Sequence, residues 1–575
     1  MEGSRGSRPE TGMSAVTAKS LTEELKKALP KEALKPVVTE IGEIVYVGDG
    51  ICKISGLPSA HVEDVVEIQT EEAWIPALIL GITLVQIEAV VLGEFTHIKQ
   101  GQVVRSTGRN MQITAGPGTM GRVMNPLGLP MDGKGPIKGE TLMPVEFAAP
   151  GVAQRQPVTQ QMESGVLVVD AIIPLGRGQR ELVIGDRKSG KTRLVASLIC
   201  NQKGKNIPCV YVAIGAQKAK VRALQELLEK NGAMEYTTIV MGGSDDPPSL
   251  NYIAPYAGTA VAEYYMYRGQ DAIVIYDDLS KHAKAYRQMS LLLKRSPGRD
   301  AYPGDIFYLH SRLLERSARL HPSLGGGSLT GFPMAETQNG DVSEYICTNL
   351  MSITDGHIYL DVNLMHLGTL PAVDSGTSVS RIGGSVQPPI LRKMGELAGT
   401  VMARYNEVKS FETINTEISE DTEREIKRGK RMLEMFSQDA TDSLLNDEKI
   451  LLINTVVTGL TDPIELLELR AVKKELVSFY RANDYAEWKE RSVKEKSIDA
   501  VKELFDKIIA EYAEQSTLPA AKLLVKAPKK EEKPLPIIPD PNQPKRDKGQ
   551  DVAGAIEKKA SEINPSIFSK LTRKK

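Results

Sequence analysis

Eight consecutive residues concentrate the chemistry this chain could do: Gly185, Asp186, Arg187, Lys188, Ser189, Gly190, Lys191 and Thr192. They fit the pattern G-x-x-x-x-G-K-[ST]. The backbone N–H groups of such a loop, together with the N-terminus of a following helix, cradle phosphate oxygens. Lys191 would neutralise the β- and γ-phosphates, and the Thr192 hydroxyl would ligate Mg2+. A partner carboxylate is needed at the end of a neighbouring strand. Asp277 supplies it, 85 residues after Thr192, closing the apolar run Ala272–Tyr276. It would hold Mg2+ through the ion's water shell. The ligand this chemistry fits is a Mg-nucleotide.

These residues work only if strands and helices place them. Glu181–Ile184 reads as a strand entering the loop and Arg193–Cys200 as a helix leaving it, the strand–loop–helix layout a phosphate loop requires. Across residues 113–400, near-continuous apolar runs such as Leu182–Ile184, Val210–Ile214, Thr238–Met241 and Ala272–Tyr276 alternate with helical stretches. That pattern predicts a mostly parallel sheet covered on both faces, an α/β phosphate-loop domain. Residues 39–112 carry short alternating runs with Gly turns, Gly48-Asp49-Gly50 among them, and predict a small β-barrel. Residues 401–515 carry charged segments with helical apolar spacing, as in Ile450–Leu460 and Ile464–Tyr480, and predict an α-helical domain. Residues 1–38 are polar, with a short helix capped by Ser20 and closed by Pro30. Residues 516–575 are rich in Lys and Pro and predict an extended, disordered arm without a core.

Composition excludes several classes. Four cysteines in 575 residues make no disulfide scaffold, and Cys52, Cys200, Cys209 and Cys347 have no metal-ligand spacing; buried free thiols are expected. Trp74–Gly93 is the one stretch that invites a membrane span, but Pro76, Gly81, Gln86 and Glu88 interrupt it, so buried strands are expected instead. The first twenty residues hold no apolar core and make no secretory signal. The formal charge of −1 divides unevenly. Residues 516–575 carry 14 Lys/Arg against 7 Asp/Glu, a net of +7, which leaves −8 on residues 1–515. His282 and His310 have no ligands at metal spacing and read as satisfied surface or interface histidines. Glu336 and Gln338 resemble a base and its helper but read as structural or interface residues.

The segment Tyr276–Leu320, reading YDDLSKHAKAYRQMSLLLKRSPGRDAYPGDIFYLHSRLLERSARL, resembles the alpha-subunit family of the F-type rotary ATP synthase. So do Gly176–Thr192 (GRGQRELVIGDRKSGKT), Gly325–Thr330 (GGGSLT), Glu336-Thr337-Gln338, Ser378–Gly383 (SVSRIG) and the runs GDGICKISGL and GRVMNPLG. The resemblance covers roughly residues 39–515. It implies a β-barrel, a nucleotide-binding domain and a helical domain in that order. It further implies an alternating hexamer with a catalytic beta subunit, contact with a central-stalk gamma subunit, and docking of a peripheral stalk (delta and b subunits) through residues 1–38. The complex would sit at the cytoplasmic face of an energy-transducing membrane.

The catalytic chain of that family carries a Glu after the Gly that ends the strand following the phosphate-loop helix. Here that strand, Val210–Ile214, is followed by Gly215-Ala216-Gln217-Lys218, with no carboxylate to orient an attacking water. The resemblance therefore implies a regulatory site that binds Mg-nucleotide with little turnover. It also assigns Arg381 as the arginine finger offered in trans to the neighbouring catalytic site. Three positions depart from the family pattern. Lys188 stands where the loop usually has Gln, and Ala216 where Gln usually follows the strand-end Gly. Of two Gln at the adenine pocket, Gln438 matches the first and Ala440 replaces the second. Two other readings share the core fold. A self-sufficient homo-hexameric ATPase would need a carboxylate elsewhere, such as Glu336. A ring-shaped RNA translocase would need interleaved aromatics on the barrel, which residues 39–112 lack; no nucleic-acid partner is expected. The partner of residues 516–575 stays open.

Overall fold

A computed structural model describes residues 40–410 and 419–525. The expected helix near Ser20 and all of 526–575 lie outside the described residues.

The first described unit is a closed barrel of six strands: β1 (Ile41–Gly48), β2 (Ile51–Ser55), β3 (Asp64–Gln69), β4 (Trp74–Ile82), β5 (Ile87–Val91) and β6 (Val103–Asn110), in the order β1-β2-β5-β4-β3-β6. Pairing of Ile41 with Arg105 and Gly42 with Val104 joins β6 back to β1 and removes both edges. Inward residues such as Ile44, Ile54, Val66 and Ile68 fill the interior. The stretch Trp74–Gly93 is thus two paired barrel strands. Among the described residues, no helix is long and apolar enough to cross a membrane.

Two short antiparallel pairs follow, β7 (Gln112–Ala115) with β9 (Thr141–Pro144) and β10 (Gln161–Met162) with β11 (Leu175–Gly176). The central sheet has eight strands: β8 (Val123–Met124), β12 (Glu181–Asp186), β13 (Cys209–Ala216), β14 (Thr237–Gly243), β15 (Asp271–Asp277), β16 (Ser328–Thr337), β17 (Gly356–Leu360) and β18 (Val379–Ser380). Their order is β18-β17-β12-β16-β15-β13-β14-β8, and all pairs are parallel except the edge strand β18. Both faces are covered. The helix Pro248–Met266 is buried along almost its whole length on one face. The helices Lys191–Cys200 and Lys218–Lys230 cover the other, and their apolar core continues into the helical domain without a break.

The helical domain comprises Pro389–Val408, Glu420–Phe436, Asn446–Val457, Leu466–Ala482, Ala486–Lys494 and Lys502–Gln515. Its first helix begins at Pro389, so the change to helix precedes residue 401; Pro389 is pre-set for a first helical turn. Gly395 lets this helix meet the nucleotide-binding domain, because a Cβ there would stand 2.0 Å from the Ala171 carbonyl oxygen. The C-terminal expectation also shifts. Residues 516–525 belong to the folded body: a 3-10 turn spans Pro519–Leu523, and Ala520, Ala521 and Leu524 are buried in the core. The apolar residues ahead of the first Lys/Pro cluster explain this. The four cysteines are free and none is exposed.

Candidate nucleotide site

The loop Gly185–Thr192 turns at the C-terminal end of β12 and delivers the chain into the helix Lys191–Cys200. The turn needs left-handed backbone at Lys188 (φ 67°) and Gly190 (φ 97°). Glycine takes that conformation without steric cost, whereas Lys188 bears a penalty of roughly 1–2 kcal/mol. Asp186 holds the start of the loop: its carboxylate accepts from Thr337 Oγ1 at 2.6 Å and from the Gly340 N–H at 3.0 Å. Lys191 is buried, and its Nζ donates to the Gly185 and Asp186 carbonyls at 2.6 and 2.8 Å. Burial pushes its ammonium pKa down, against the opposing pull of Glu336, Asp278 and Asp277. A phosphate would give this cation a partner.

β15 brings its terminal carboxylate to the same end of the sheet. Thr192 Oγ1 donates to Asp277 Oδ2 at 3.3 Å, and the Tyr211 hydroxyl donates to the same oxygen. Burial and Asp277 together raise the Tyr211 pKa well above its ordinary value, so the phenol keeps its proton and remains a donor. A hydroxyl and a carboxylate converging beside a phosphate loop are the hard oxygen donors that Mg2+ takes. Asp278 caps the helix Leu279–Leu292 by accepting from the Lys281 N–H, and it pairs with Lys281 Nζ at 3.0 Å. Tyr211 carries no sequence motif, and only its place on a strand flanking the loop could have singled it out; Lys281 lies within the run Tyr276–Leu320.

β16 lies between β12 and β15, and its register sets Glu336 beside Gly185. Glu336 pairs with Arg187 at 3.6 Å, while its N–H donates to Ser280 Oγ. Gln338 is exposed past the strand end. On β13 the turn after Gly215 carries Ala216, Gln217 and Lys218, and the Gly215 N–H donates to Asn251 Oδ1 at 2.7 Å. No carboxylate side chain belongs to that turn.

A small cleft flanks the first turns of the loop helix. Val166, Leu194, Pro371 and Ala440 supply its apolar walls, and Arg193, Ser197, Gln438 and Asp439 its polar groups. The structure therefore brings Gln438 to the loop helix, although its amide is used by the protein itself. Oε1 accepts from the Leu167 N–H at 3.0 Å; Nε2 donates to the Gly165 carbonyl at 2.7 Å and to the Asp442 carbonyl.

Arg381 is not in this cluster. It is exposed just after the edge strand β18, its N–H donating to the Asp355 carbonyl at 3.0 Å. Ser380 pairs with Gly356, and Gly356 with Glu181, so Arg381 stands at the N-terminal end of the strands. The phosphate loop begins at Gly185, about 13 Å further along β12.

His282 and His310 are not surface groups. Both are fully enclosed, with Nδ1 of His282 3.3 Å from Nε2 of His310 and Nε2 of His282 2.9 Å from the Tyr252 carbonyl oxygen. Among the described residues no cluster of His, Cys, Asp and Glu could hold a metal by itself.

The family model of the ATP synthase alpha/beta family, nucleotide-binding domain, matches residues 165–380, and that of the ATP synthase alpha/beta chain, C terminal domain, matches 387–512. The ATP synthase subunit alpha of Dehalococcoides mccartyi strain 195 is 46% identical over 476 residues, 82% of this chain and 93% of the relative. The chain belongs to the F-type ATP synthase alpha-subunit family. A second member, ATP synthase subunit alpha of D. mccartyi strain BAV1, is 46% identical over 459 residues, covering 79% of this chain and 90% of its own length. The family's nucleotide-binding domain is thus the α/β domain that carries the phosphate loop, and the matched C-terminal domain ends close to the last long helix, Lys502–Gln515.

Proposed function

We propose that this chain is the regulatory, non-catalytic nucleotide-binding alpha subunit of a proton-translocating F-type ATP synthase. It holds Mg-ATP or Mg-ADP on the loop Gly185–Thr192 and supplies Arg381 to the catalytic site of a neighbouring beta subunit. The observation that carries this reading is the separation of the two functional ends. The phosphate loop lies at the C-terminal end of β12 and Arg381 at the opposite end of the same sheet. An arginine so placed cannot serve its own nucleotide but is free, at the surface, to serve another.

Thr192 and Asp277 fit Mg2+, which when bound neutralises phosphate charge. The chain's own groups do the rest. The loop N–H groups and Lys191 bind phosphate, and Tyr211 keeps the Asp277 carboxylate oriented. The Gly215–Lys218 turn offers no carboxylate to activate water, which accounts for binding without efficient turnover. The complex would alternate alpha and beta chains in a hexamer, meet the gamma subunit through the helical domain and a delta/b stalk through residues 1–38, and attach peripherally to the cytoplasmic face of the membrane.

The test uses the purified full chain. It should bind ATP in a Mg2+-dependent manner without sustained hydrolysis. Robust turnover by the chain alone overturns the proposal and directs attention to Glu336, the carboxylate next to the loop.

A further inference from the structure

We propose that Glu181 and Gln179, buried beside the edge of the central sheet, are positioning residues for Arg381 and act on it through Ser380. The inference rests on the arginine-finger reading above and adds to it the groups that hold the finger.

β18 pairs with β17 through only Val379 and Ser380, and Arg381 follows them directly. The register sets Glu181, Gly356 and Ser380 side by side on β12, β17 and β18. Side chains in register point to one face of a sheet, and two strand spacings put the outer pair about 10 Å apart. Gly356 keeps the middle position open. A Cβ there would stand 2.7 and 2.8 Å from the two Glu181 carboxylate oxygens. The Glu181 carboxyl therefore lies over Gly356, toward Ser380.

Gln179 completes the bridge. Its Nε2 donates to Glu181 Oε2 at 2.7 Å and to Ser380 Oγ at 3.3 Å, while its Oε1 accepts from the Gly176 N–H at 2.8 Å. The carboxyl thus sets which way the Gln179 amide faces. Ser380 Oγ in turn donates to the Pro174 carbonyl at 2.6 Å and accepts from the Gly383 N–H at 3.3 Å. The turn Ser380–Gly383 is pressed against that carbonyl, since a Cβ at Gly383 would stand 1.6 Å from its oxygen. On the other side the Asp355 carbonyl accepts the Arg381 N–H, and Arg180 grips the Asp355 carboxylate with Nε and Nη2. The backbone that carries Arg381 is fixed from both directions, while its side chain stays at the surface.

Glu181 does more than brace the turn. It and Gln179 are completely buried, yet Glu181 Oε1 has no hydrogen-bond partner among the described residues. Leaving a buried polar group unsatisfied costs about 1–3 kcal/mol, and more for a charged one. Burial and the neighbouring Asp355 push the Glu181 pKa up, whereas the Gln179 hydrogen bond and the Arg381 charge pull it down. The field of Arg381 thus reaches this carboxyl, and the field of the carboxyl reaches the guanidinium.

The experiment assembles the full chain with a catalytic beta chain and measures steady-state ATP hydrolysis. Gln179→Leu cuts the bridge, and Glu181→Gln keeps the size of the side chain but removes its charge. Each should lower kcat about tenfold or more with KM for ATP unchanged, as expected when a group acting only in the transition state is displaced. In an Arg381→Ala background neither change should lower kcat further, because both act through the arginine. A further loss in that background overturns the inference, as does Glu181→Gln with kcat within about twofold of the unaltered complex. Glu181→Gln decides alone if Gln179→Leu does not assemble. If Arg381→Ala itself leaves kcat unchanged, the finger reading fails and this inference falls with it; if Arg381→Ala is impaired and Glu181→Gln is not, only this inference falls.

Discussion

Lys449 Nζ lies 2.6 Å from Asp170 Oδ2, and both side chains are completely enclosed. The pair joins the helix Asn446–Val457 of the helical domain to the helix Leu167–Ile172 of the nucleotide-binding domain. Asp170 also accepts from the Ser164 and Gly165 N–H groups at 2.8 and 2.9 Å, and Gly165 in turn accepts from Gln438. The ion pair thereby helps fix the chain beside the small cleft that flanks the loop helix. Removing one partner strands a buried charge, which costs about 3–5 kcal/mol. Lys449→Met alone should lower chain stability by that order, measured by denaturant unfolding. The double variant Asp170→Asn/Lys449→Met should lose less than the sum of the two single changes.

Phosphate binding should depend on Lys191 and its Mg2+ dependence on Asp277. Lys191→Ala is expected to weaken Mg-ATP binding at least a hundredfold, since it removes a charge-assisted contact of about 3 kcal/mol. Asp277→Asn should instead reduce the advantage that added Mg2+ gives, with weaker loss in its absence. Titration of each variant with and without Mg2+ separates the two.

Arg381 should matter to a neighbour and not to its own chain. Arg381→Ala is expected to leave nucleotide binding to the purified chain unchanged. In the complex assembled with a catalytic partner, kcat for hydrolysis should fall by about 10³ or more, the scale of an arginine finger. Arg381→Lys should not restore it, because an ammonium lacks the planar fork that bridges phosphoryl oxygens. Loss of nucleotide binding by the isolated variant would contradict this assignment.

The enclosed histidines should make the chain acid-sensitive. Burial lowers the His310 pKa to about 4 and that of His282 well below its ordinary 6.5. Each stays neutral when folded and gains a proton when unfolded, so the unfolded state takes up more protons below pH 6.5. Stability is full above that value and is lost as pH falls from 6.5 toward 4, at about 1.4 kcal/mol per pH unit for each imidazole. His310→Asn should flatten the fall by one such increment, read as the difference in unfolding midpoints between pH 7 and pH 5.

Much of this architecture is legible in residue order. The loop Gly185–Thr192, the strand ending at Asp277 and the parallel sheet follow from local pattern, because each signal lies within a few residues. Lys449 and Asp170 do not. They are 279 positions apart, and although each adjoins an apolar run, nothing in either run points to the other. Tyr211 meets Asp277 only because β13 and β15 are adjacent, an order set by the whole sheet. His282 had a usable signal: it shares a helical stripe with Leu279, Ala283, Tyr286 and Met289, all buried. Residues 516–525 pack into the body because their apolar side chains come before the Lys and Pro clusters that dominate the composition of 516–575.

The two ends of the central sheet give the subunit a front and a back. In a ring that alternates such chains with a catalytic partner, each would hold nucleotide at one end of its sheet and offer Arg381 from the other. A change in the tilt of β12 or β17 would alter the grip on its own nucleotide and the reach of Arg381 at once. On the proposed reading, neighbouring sites in such a ring would be coupled with a sense of direction, set by which end of a strand carries the loop and which carries the arginine.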